Sequence, residues 1–290
     1  MSQTESVKRF RALHQDGPLV LPNAWDAASA RVIELAGARA IATTSAGVSW
    51  ALGRGDGERL TRDEMLGAIG RIVRAVSVPV TADVESGYGD GSPEAVAETV
   101  RALVRLGVAG INLEDSPGAD GATLMPAEAH ATRLSAARAA ARDAGGDLVI
   151  NARVDVFLLG AGAPETRFGE AVRRARIYHA AGAECVFVPG VIDAETIGAL
   201  VRETGAPLNV MAMPGAPDVA ELARLGVTRV SVGPAIAQAA LQATRRAATE
   251  LLRRGTYGAP DDSLPFPEAA GLFAAAGDAA ANESRAVDAR

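Results

Sequence analysis

One pattern constrains this chain more than any other: a helical stretch stops on a glycine, passes through one or two small residues, and gives way to a short apolar run. It occurs at Leu35-Ala36-Gly37-Ala38 before residues 40–44, at Leu106-Gly107-Val108 before 111–114, at Ala181-Gly182-Ala183 before 186–189, and at Leu225-Gly226-Val227 before 230–233. Glycine just past a helix end accepts a left-handed backbone at little cost, so a strand can begin at once. Apolar runs at 19–22, 80–83, 148–152 and 208–211 bring the expected strands to eight, with helical stretches between them. Several of those helices carry start signals, such as the capping box Thr61-Arg62-Asp63-Glu64 and the Ser92-Pro93-Glu94 opening.

Near-continuous apolar strands alternating with amphipathic helices are the signature of parallel strands buried on both faces. The spacing therefore predicts an α/β chain, a (β/α)8 TIM barrel formed as a single domain by residues 1–255. An open doubly wound sheet is the competing arrangement, but no Gly-x-Gly-x-x-Gly follows any strand. Residues 5–15 predict an N-terminal helix whose Val7, Phe10 and Leu13 cover the bottom or side of the barrel. Residues 256–290 read as a C-terminal extension: a proline-rich turn, a docking helix over 269–275 and a frayed Ala-rich tail.

Composition removes several function classes. The net charge is −6 and the arginines are scattered, so neither DNA nor RNA is expected as a partner. No apolar run reaches the roughly 18 residues of a membrane span, the N-terminus lacks a secretory pattern, and the single cysteine cannot form an internal disulfide. Together these predict a cytoplasmic protein with no membrane partner. Lys8 is the only lysine and precedes the first expected strand, which argues against Schiff-base or pyridoxal chemistry. His14, His130 and His179 fall in expected helices on the outside of a barrel, where solvated positions are expected, and Cys185 begins the sixth strand at the end away from catalysis. A Ser-His-Asp triad and a three-histidine zinc site are thereby excluded.

Catalytic groups of a (β/α)8 barrel come from strand C-termini and the loops after them. Asp83 and Glu85 end the third expected strand two residues apart, so they share one face, and Glu114 ends the neighbouring strand. Crowded carboxylates of this kind suit a hard divalent cation held by oxygen; rim helix caps and ion pairs are the alternative. Arg153, on a strand face with Asn151 and Asp155, suits a bidentate grip on a substrate carboxylate or phosphate, or else a structural pair with Asp155 or Glu114.

A set of motifs accompanies these residues: Asn23-Ala24-Trp25-Asp26, Asp56-Gly57, Ala82-Asp83-Val84-Glu85-Ser86-Gly87-Tyr88-Gly89, Asn112-Leu113-Glu114-Asp115, Asn151-Ala152-Arg153-Val154-Asp155 and Ser231-Val232-Gly233-Pro234. In this order and spacing the chain resembles the isocitrate lyase/phosphoenolpyruvate mutase superfamily. The resemblance implies a barrel whose last helices are exchanged between subunits of a homodimer or homotetramer. It also implies a site for small 2-oxo acids or dicarboxylates that uses Mg2+, or Mn2+ in its place. By matching position, Asp83 resembles the direct metal ligand, with Asp56, Glu85 and Glu114 holding the ion through water. Thr44, Ser45 and Ala46 resemble the backbone that cradles the substrate, joined by Trp25, Asn151 and Arg153.

The chain departs from the superfamily after the fourth strand, where lyases carry a Lys-Arg-Cys-Gly-His type motif and phosphonate mutases a lysine with Asn-Ser. Here residues 116–125 read Ser-Pro-Gly-Ala-Asp-Gly-Ala-Thr-Leu-Met, and Gly190 stands where lyases carry a strand-six glutamate. The expectation is a Mg2+-dependent lyase that decarboxylates or cleaves a small 2-oxo acid, with enolate charge developing against the metal. Arg153 and Glu114 take catalytic roles, Tyr88 and Asp120 are the acid/base candidates, and residues 118–121 form part of a lid. The alternatives are a phosphonopyruvate-type mutase or hydrolase, and a non-catalytic 2-oxo-acid-binding protein.

Overall fold

The computed structural model describes residues 1–116, 123–258 and 263–273. The chain begins with α1 (Gln3–Leu13), β1 (Leu19–Leu21), β2 (Asn23–Ala24), α2 (Ala27–Leu35), β3 (Ile41–Thr43), α3 (Ser45–Ala51) and α4 (Arg62–Ala75). It continues through β4 (Val80–Asp83), α5 (Pro93–Arg105), β5 (Gly110–Glu114), α6 (Ala127–Asp143), β6 (Val149–Arg153), α7 (Pro164–Ala180), β7 (Cys185–Phe187) and α8 (Ala194–Thr204). It ends with β8 (Leu208–Met211), α9 (Val219–Arg224), β9 (Arg229–Ser231), α10 (Ala235–Arg254) and α11 (Phe266–Gly271).

All strand pairs are parallel, and the order runs β1-β9-β8-β7-β6-β5-β4-β3-β2. Nine strands appear where eight were expected because the first breaks at Pro22, which has no N–H for the ladder. Its first half, β1, pairs with β9, and its second half, β2, pairs with β3. The two halves share one position in the ring, and the result is a (β/α)8 TIM barrel.

Local chemistry sets the helix boundaries. Thr61 and Glu64 form a reciprocal capping box at α4, Asp26 and Ser29 form another at α2, and Ser92 caps α5 ahead of Pro93. Gly37, Gly107, Gly182 and Gly226 adopt positive φ after their helices, as the repeat requires. The inward helix faces and the outward strand faces then merge into one apolar layer, including Ile69, Val100, Leu103, Ile111, Leu134, Val186 and Leu200.

The N-terminal helix plugs the barrel floor: Val7, Phe10 and Leu13 are buried against Leu19, Leu21, Ala42, Ala109 and Val149. A Cβ at position 110 would lie 2.9 Å from the Phe10 ring, so Gly110 makes the space that the ring fills. Polar residues rather than branched aliphatics occupy much of the interior above, with Thr81, Asn112, Asn151, Asn209 and Arg229 all buried.

The histidine expectation needs correction. His130, on the inner side of α6, is fully buried and edge-on to Tyr178 at 4.7 Å, because α6 packs between α5 and α7. His14 is half-buried, and only His179 is exposed. Cys185 is buried, with its thiol pushed up to about 11 by burial. The docking helix begins earlier than expected, and the Leu272 carbonyl after it accepts from Arg31 Nε on α2 at 2.9 Å. Among the described residues no helix is long and apolar enough to cross a membrane.

Candidate active site

A cavity of about 210 Å3 opens at the C-terminal ends of the strands. Its lining includes Asn23, Thr44, Ser45, Ala46, Asp56, Asp83, Asn112 and Arg153, with Leu158, Phe187 and Met211 as apolar members. Six of the candidate residues therefore meet around one space: Thr44, Ser45, Ala46, Asp56, Asp83 and Arg153. The other described candidates are not on its lining. Trp25 braces α3 from behind: a Cβ at Gly47 would stand 2.8 Å from the Trp25 Cβ, so this glycine allows their close approach. Asn151 is fully buried below the cavity, and Asp120 lies outside the described residues, as do residues 118–121.

Asp83 ends β4, where Thr43 Oγ1 accepts its backbone N–H at 2.8 Å and so ties it to β3. Its Oδ2 accepts from the Ser45 backbone N–H at 3.0 Å, which joins the carboxylate to the start of α3. Its Oδ1 is buried and makes no hydrogen bond. A buried carboxylate oxygen without a donor is costly, and it marks the place where a cation fits.

Glu85 and Glu114 are already engaged. The Glu85 carboxylate accepts from the backbone N–H groups of Gly57 and Glu58 at 3.2 and 2.7 Å. In return, Glu58 accepts from the Ser86 hydroxyl at 2.7 Å and the Tyr88 N–H at 2.9 Å. Glu58, Glu85 and Tyr88 are the non-glycine residues with positive φ among those described, and all three belong to this clasp. Such backbone costs energy and persists only where the surroundings enforce it; here the clasp holds the Asp56 loop at the cavity rim. Burial first, then Asp83 and Asp56, pushes the Glu85 carboxyl up to about 8. Burial likewise raises Glu114 well above the carboxylate range, against the pull of Arg153. The Tyr88 hydroxyl is buried and raised by burial and then by Glu85, and it lies off the cavity lining.

Arg153 pairs with Glu114 Oε2 through Nη1 at 2.7 Å and with Asp155 Oδ1 through Nε at 2.6 Å. Its Cζ lies 5.9 Å from the Phe187 ring centre. Burial disfavours the guanidinium charge, but Glu114, Asp155 and Asp83 outweigh it and hold the pKa up. Both structural partners weighed from sequence are thus present at once, engaging Nη1 and Nε of a residue that also lines the cavity. A second layer fixes this geometry: Asp115 accepts from the Asp155 N–H at 2.9 Å, from Arg174 at 2.9 Å and from the Tyr178 hydroxyl at 2.7 Å.

Among the described residues no three His, Cys, Asp or Glu side chains converge as a ready-made ligand cluster. Among the described residues the site instead offers one buried carboxylate oxygen without a donor, on Asp83, with Asp56 on the same lining. Mg2+ keeps several waters and commonly takes only one or two protein carboxylates, so these residues fit that ion.

Sequence reasoning did not assign Asn112, Leu158 or Phe187 to the site. Leu158 enters because Gly190, at φ +89°, lets the loop backbone approach: a Cβ there would stand 2.8 Å from the Leu158 nitrogen. The backbone of residues 157–158 thus comes up against Gly190. Strand alternation places Asn112 on the inward face with Glu114, and that signal could have found it.

A family model described as phosphoenolpyruvate phosphomutase matches residues 10–252. An uncharacterized protein of Mycobacterium tuberculosis (strain H37Rv) is 39% identical over 241 residues, covering 82% of this chain and 87% of its own. An oxaloacetate decarboxylase of Paraburkholderia xenovorans is 31% identical over 267 residues, covering 88% and 85%. Among solved structures, an oxaloacetate acetylhydrolase in complex with its product oxalate superposes with a TM-score of 0.82 at 27% identity, covering 98% of each chain.

Proposed function

This chain belongs to the phosphoenolpyruvate phosphomutase family, within the isocitrate lyase/phosphoenolpyruvate mutase superfamily, and from that premise we propose that it is a Mg2+-dependent carbon–carbon lyase acting on a small 2-oxo acid. The observation that carries the reading is the free Asp83 oxygen sharing one small cavity with the Arg153 guanidinium. Lyases among its relatives, including the oxaloacetate decarboxylase, support the reaction class.

Asp83 would hold the ion directly, with Asp56, Glu85 and Glu114 acting through water. When bound, Mg2+ supplies positive charge beside the substrate oxygen that becomes negative. Arg153, anchored by Glu114 and Asp155, grips a substrate carboxylate with its remaining Nη2. Of residues 44–46, the Ala46 N–H is the backbone donor left to orient the acid, because the Thr44 N–H is given to the Ala24 carbonyl and the Ser45 N–H to Asp83. Leu158, Phe187 and Met211 exclude water, which strengthens each electrostatic contact. When the bond to C3 breaks, its electron pair passes into the C2 carbonyl; carbon dioxide departs from a carboxylate on C3, or a carbonyl fragment departs as its hydroxyl proton passes to water, and C3 then takes a proton from water.

Decarboxylation needs no protein base to begin. That suits a chain whose only lysine, Lys8, is exposed on α1 and whose only cysteine is buried in β7. Phosphoryl migration is the second reading, favoured by the family description.

The test is turnover followed by NMR, with Mg2+, on oxaloacetate, substituted malates and citrates, and phosphonopyruvate. Wild type should act on at least one, and Asp83→Ala should lose about 10²–10³-fold or more. Equal turnover by both proteins on every compound would sink the proposal. Tight oxalate binding without turnover would indicate a binding protein instead.

An exchange of α10 between subunits is part of the same proposal. Ala237 is the buried residue of α10, while Leu241, Leu251 and Leu252 are exposed. An apolar groove of about 510 Å3, lined by Leu13, Leu19, Ile33 and Ile236, lies open beside β1. Sedimentation of a monomer at micromolar concentration would exclude it.

A further inference from the structure

Arg229 lies in the barrel interior with no exposed surface, and among the described residues no carboxylate pairs with it. Its Nε and Nη1 make no hydrogen bond. Its Cζ rests 5.7 Å from the centre of the Phe10 ring below, and its Nη2 donates upward to Asn112 Oδ1 at 3.1 Å. Burial lowers its pKa to about 10, so it keeps its charge at neutral pH. An uncompensated buried guanidinium is expensive, and the interior of a barrel is ordinarily filled by branched aliphatic side chains.

The chemistry of that one contact has a consequence above it. A guanidinium has only donors, so the Asn112 atom facing Arg229 must be the oxygen. That settles an amide orientation which geometry alone leaves open. Asn151 must follow, and its Nδ2 donates to the same oxygen at 2.8 Å, leaving its own Oδ1 without a partner. With Oδ1 turned down and taking two donors, Asn112 Nδ2 is turned up. Asn112 lines the cavity, and its Nδ2 has no partner among the described residues.

We propose that Asn112 is a substrate-binding residue whose Nδ2 donates to an oxygen of the bound acid at the cavity floor, and that Arg229 is the positioning residue that keeps this donor pointing up. The donor selects for an acceptor at the floor, a carboxylate or oxo oxygen rather than a hydroxyl hydrogen or a methyl group. A flipped amide would instead present its oxygen among Asp83 and Glu114 and would repel the same ligand. This inference rests on the 2-oxo-acid reading of the site.

The test measures oxalate binding calorimetrically with Mg2+ in wild type, Asn112→Leu, Arg229→Met, Arg229→Lys and the double variant Asn112→Leu/Arg229→Met, with thermal melts to establish folding. Oxalate stands in for the adjacent carboxylate and oxo oxygens of a 2-oxo acid. Asn112→Leu and Arg229→Met should each weaken binding by about 10- to 100-fold, the scale of a hydrogen bond to a charged group. The double variant should lose no more than either single, because Arg229 acts through Asn112, and Arg229→Lys, which keeps a donor, should recover most of the loss.

Wild-type affinity in Asn112→Leu overturns the binding role, and multiplying losses in the double variant overturn the positioning role. No oxalate binding by folded wild type fails the 2-oxo-acid reading itself and the inference with it, an outcome distinct from the other two. Should Arg229→Met not fold, a crystal structure of wild type with Mg2+ and oxalate decides: Nδ2 at hydrogen-bond distance from oxalate supports the proposal, and an amide turned away overturns it.

Discussion

At the N-terminal end of the barrel, Arg11 and Arg138 share Asp147 and Glu184, with every pair between 2.6 and 2.9 Å. Arg138 also donates to the carbonyls of Leu148 and Gly182, so its charge is matched and both of its terminal nitrogens are engaged. At the C-terminal end, Glu114 and Asp155 pair with Arg153, whereas Asp83 and Glu85 make no ion pair among the described residues, and one Asp83 oxygen is left without a donor. The same side-chain types thus close one end and leave the other short of positive charge. A saturated network stabilises the fold, whereas an unsaturated one keeps capacity for a ligand. This is the division expected between the bottom and top faces of such a barrel.

The comparison breaks most readily through Arg138. Arg138→Met should destabilise the protein by about 1–3 kcal/mol, since it strips donors from two carboxylates and two carbonyls. Ligand affinity of the folded fraction should stay unchanged. Denaturant unfolding beside oxalate titration measures both, and a stability-neutral variant would show that the floor network is not structural.

The mouth should behave in the opposite sense, and pH sharpens the contrast. The Glu85 carboxyl sits near 8 in the fold, above its unfolded value of 4.5. Its contribution is therefore fully present below pH 4.5 and is lost as pH rises through about 8. Without divalent cation, thermal stability should decline across that window, and Glu85→Gln should flatten the decline. Added Mg2+ should stabilise more as pH rises, because the ion favours the ionised carboxylate. A pH-independent Mg2+ effect in thermal melts would contradict this account of the mouth.

The smallest effect is expected at Lys8, exposed on α1 at the floor end. Lys8→Met should shift stability by no more than about 0.5 kcal/mol and leave turnover as it was. Inactivation of wild type by borohydride in the presence of substrate, absent from Lys8→Met, would reinstate Schiff-base chemistry.

Much of the fold was legible in the chain because its signals are local. Glycine stops such as Gly107 and Gly226, caps such as Thr61 and Ser92, and apolar runs of strand length each act within a few residues. Parallel pairing followed from their alternation. Pro22 carried the split of the first strand in plain view, yet which neighbours its two halves would join depends on ring closure. His130 was misplaced because helical position alone does not reveal that α6 is covered on both flanks.

The candidate site divides the same way. Asp83, Glu114 and Arg153 stood out as charged residues ending apolar strands, and strand alternation set them on one face. The sequence by itself determined the barrel, the strand ends that carry chemistry and the excess of carboxylates there. Only the tertiary structure decided that Glu85 turns to the Gly57–Glu58 backbone, that Trp25 braces α3, and that Asn112 is turned upward by Arg229. Asn112 and Arg229 are 117 residues apart in the chain. The reason is physical: periodicity fixes which face of an element a residue occupies, whereas the partner it meets there is chosen across the closed barrel, where hydrogen-bond donors and acceptors must be satisfied together.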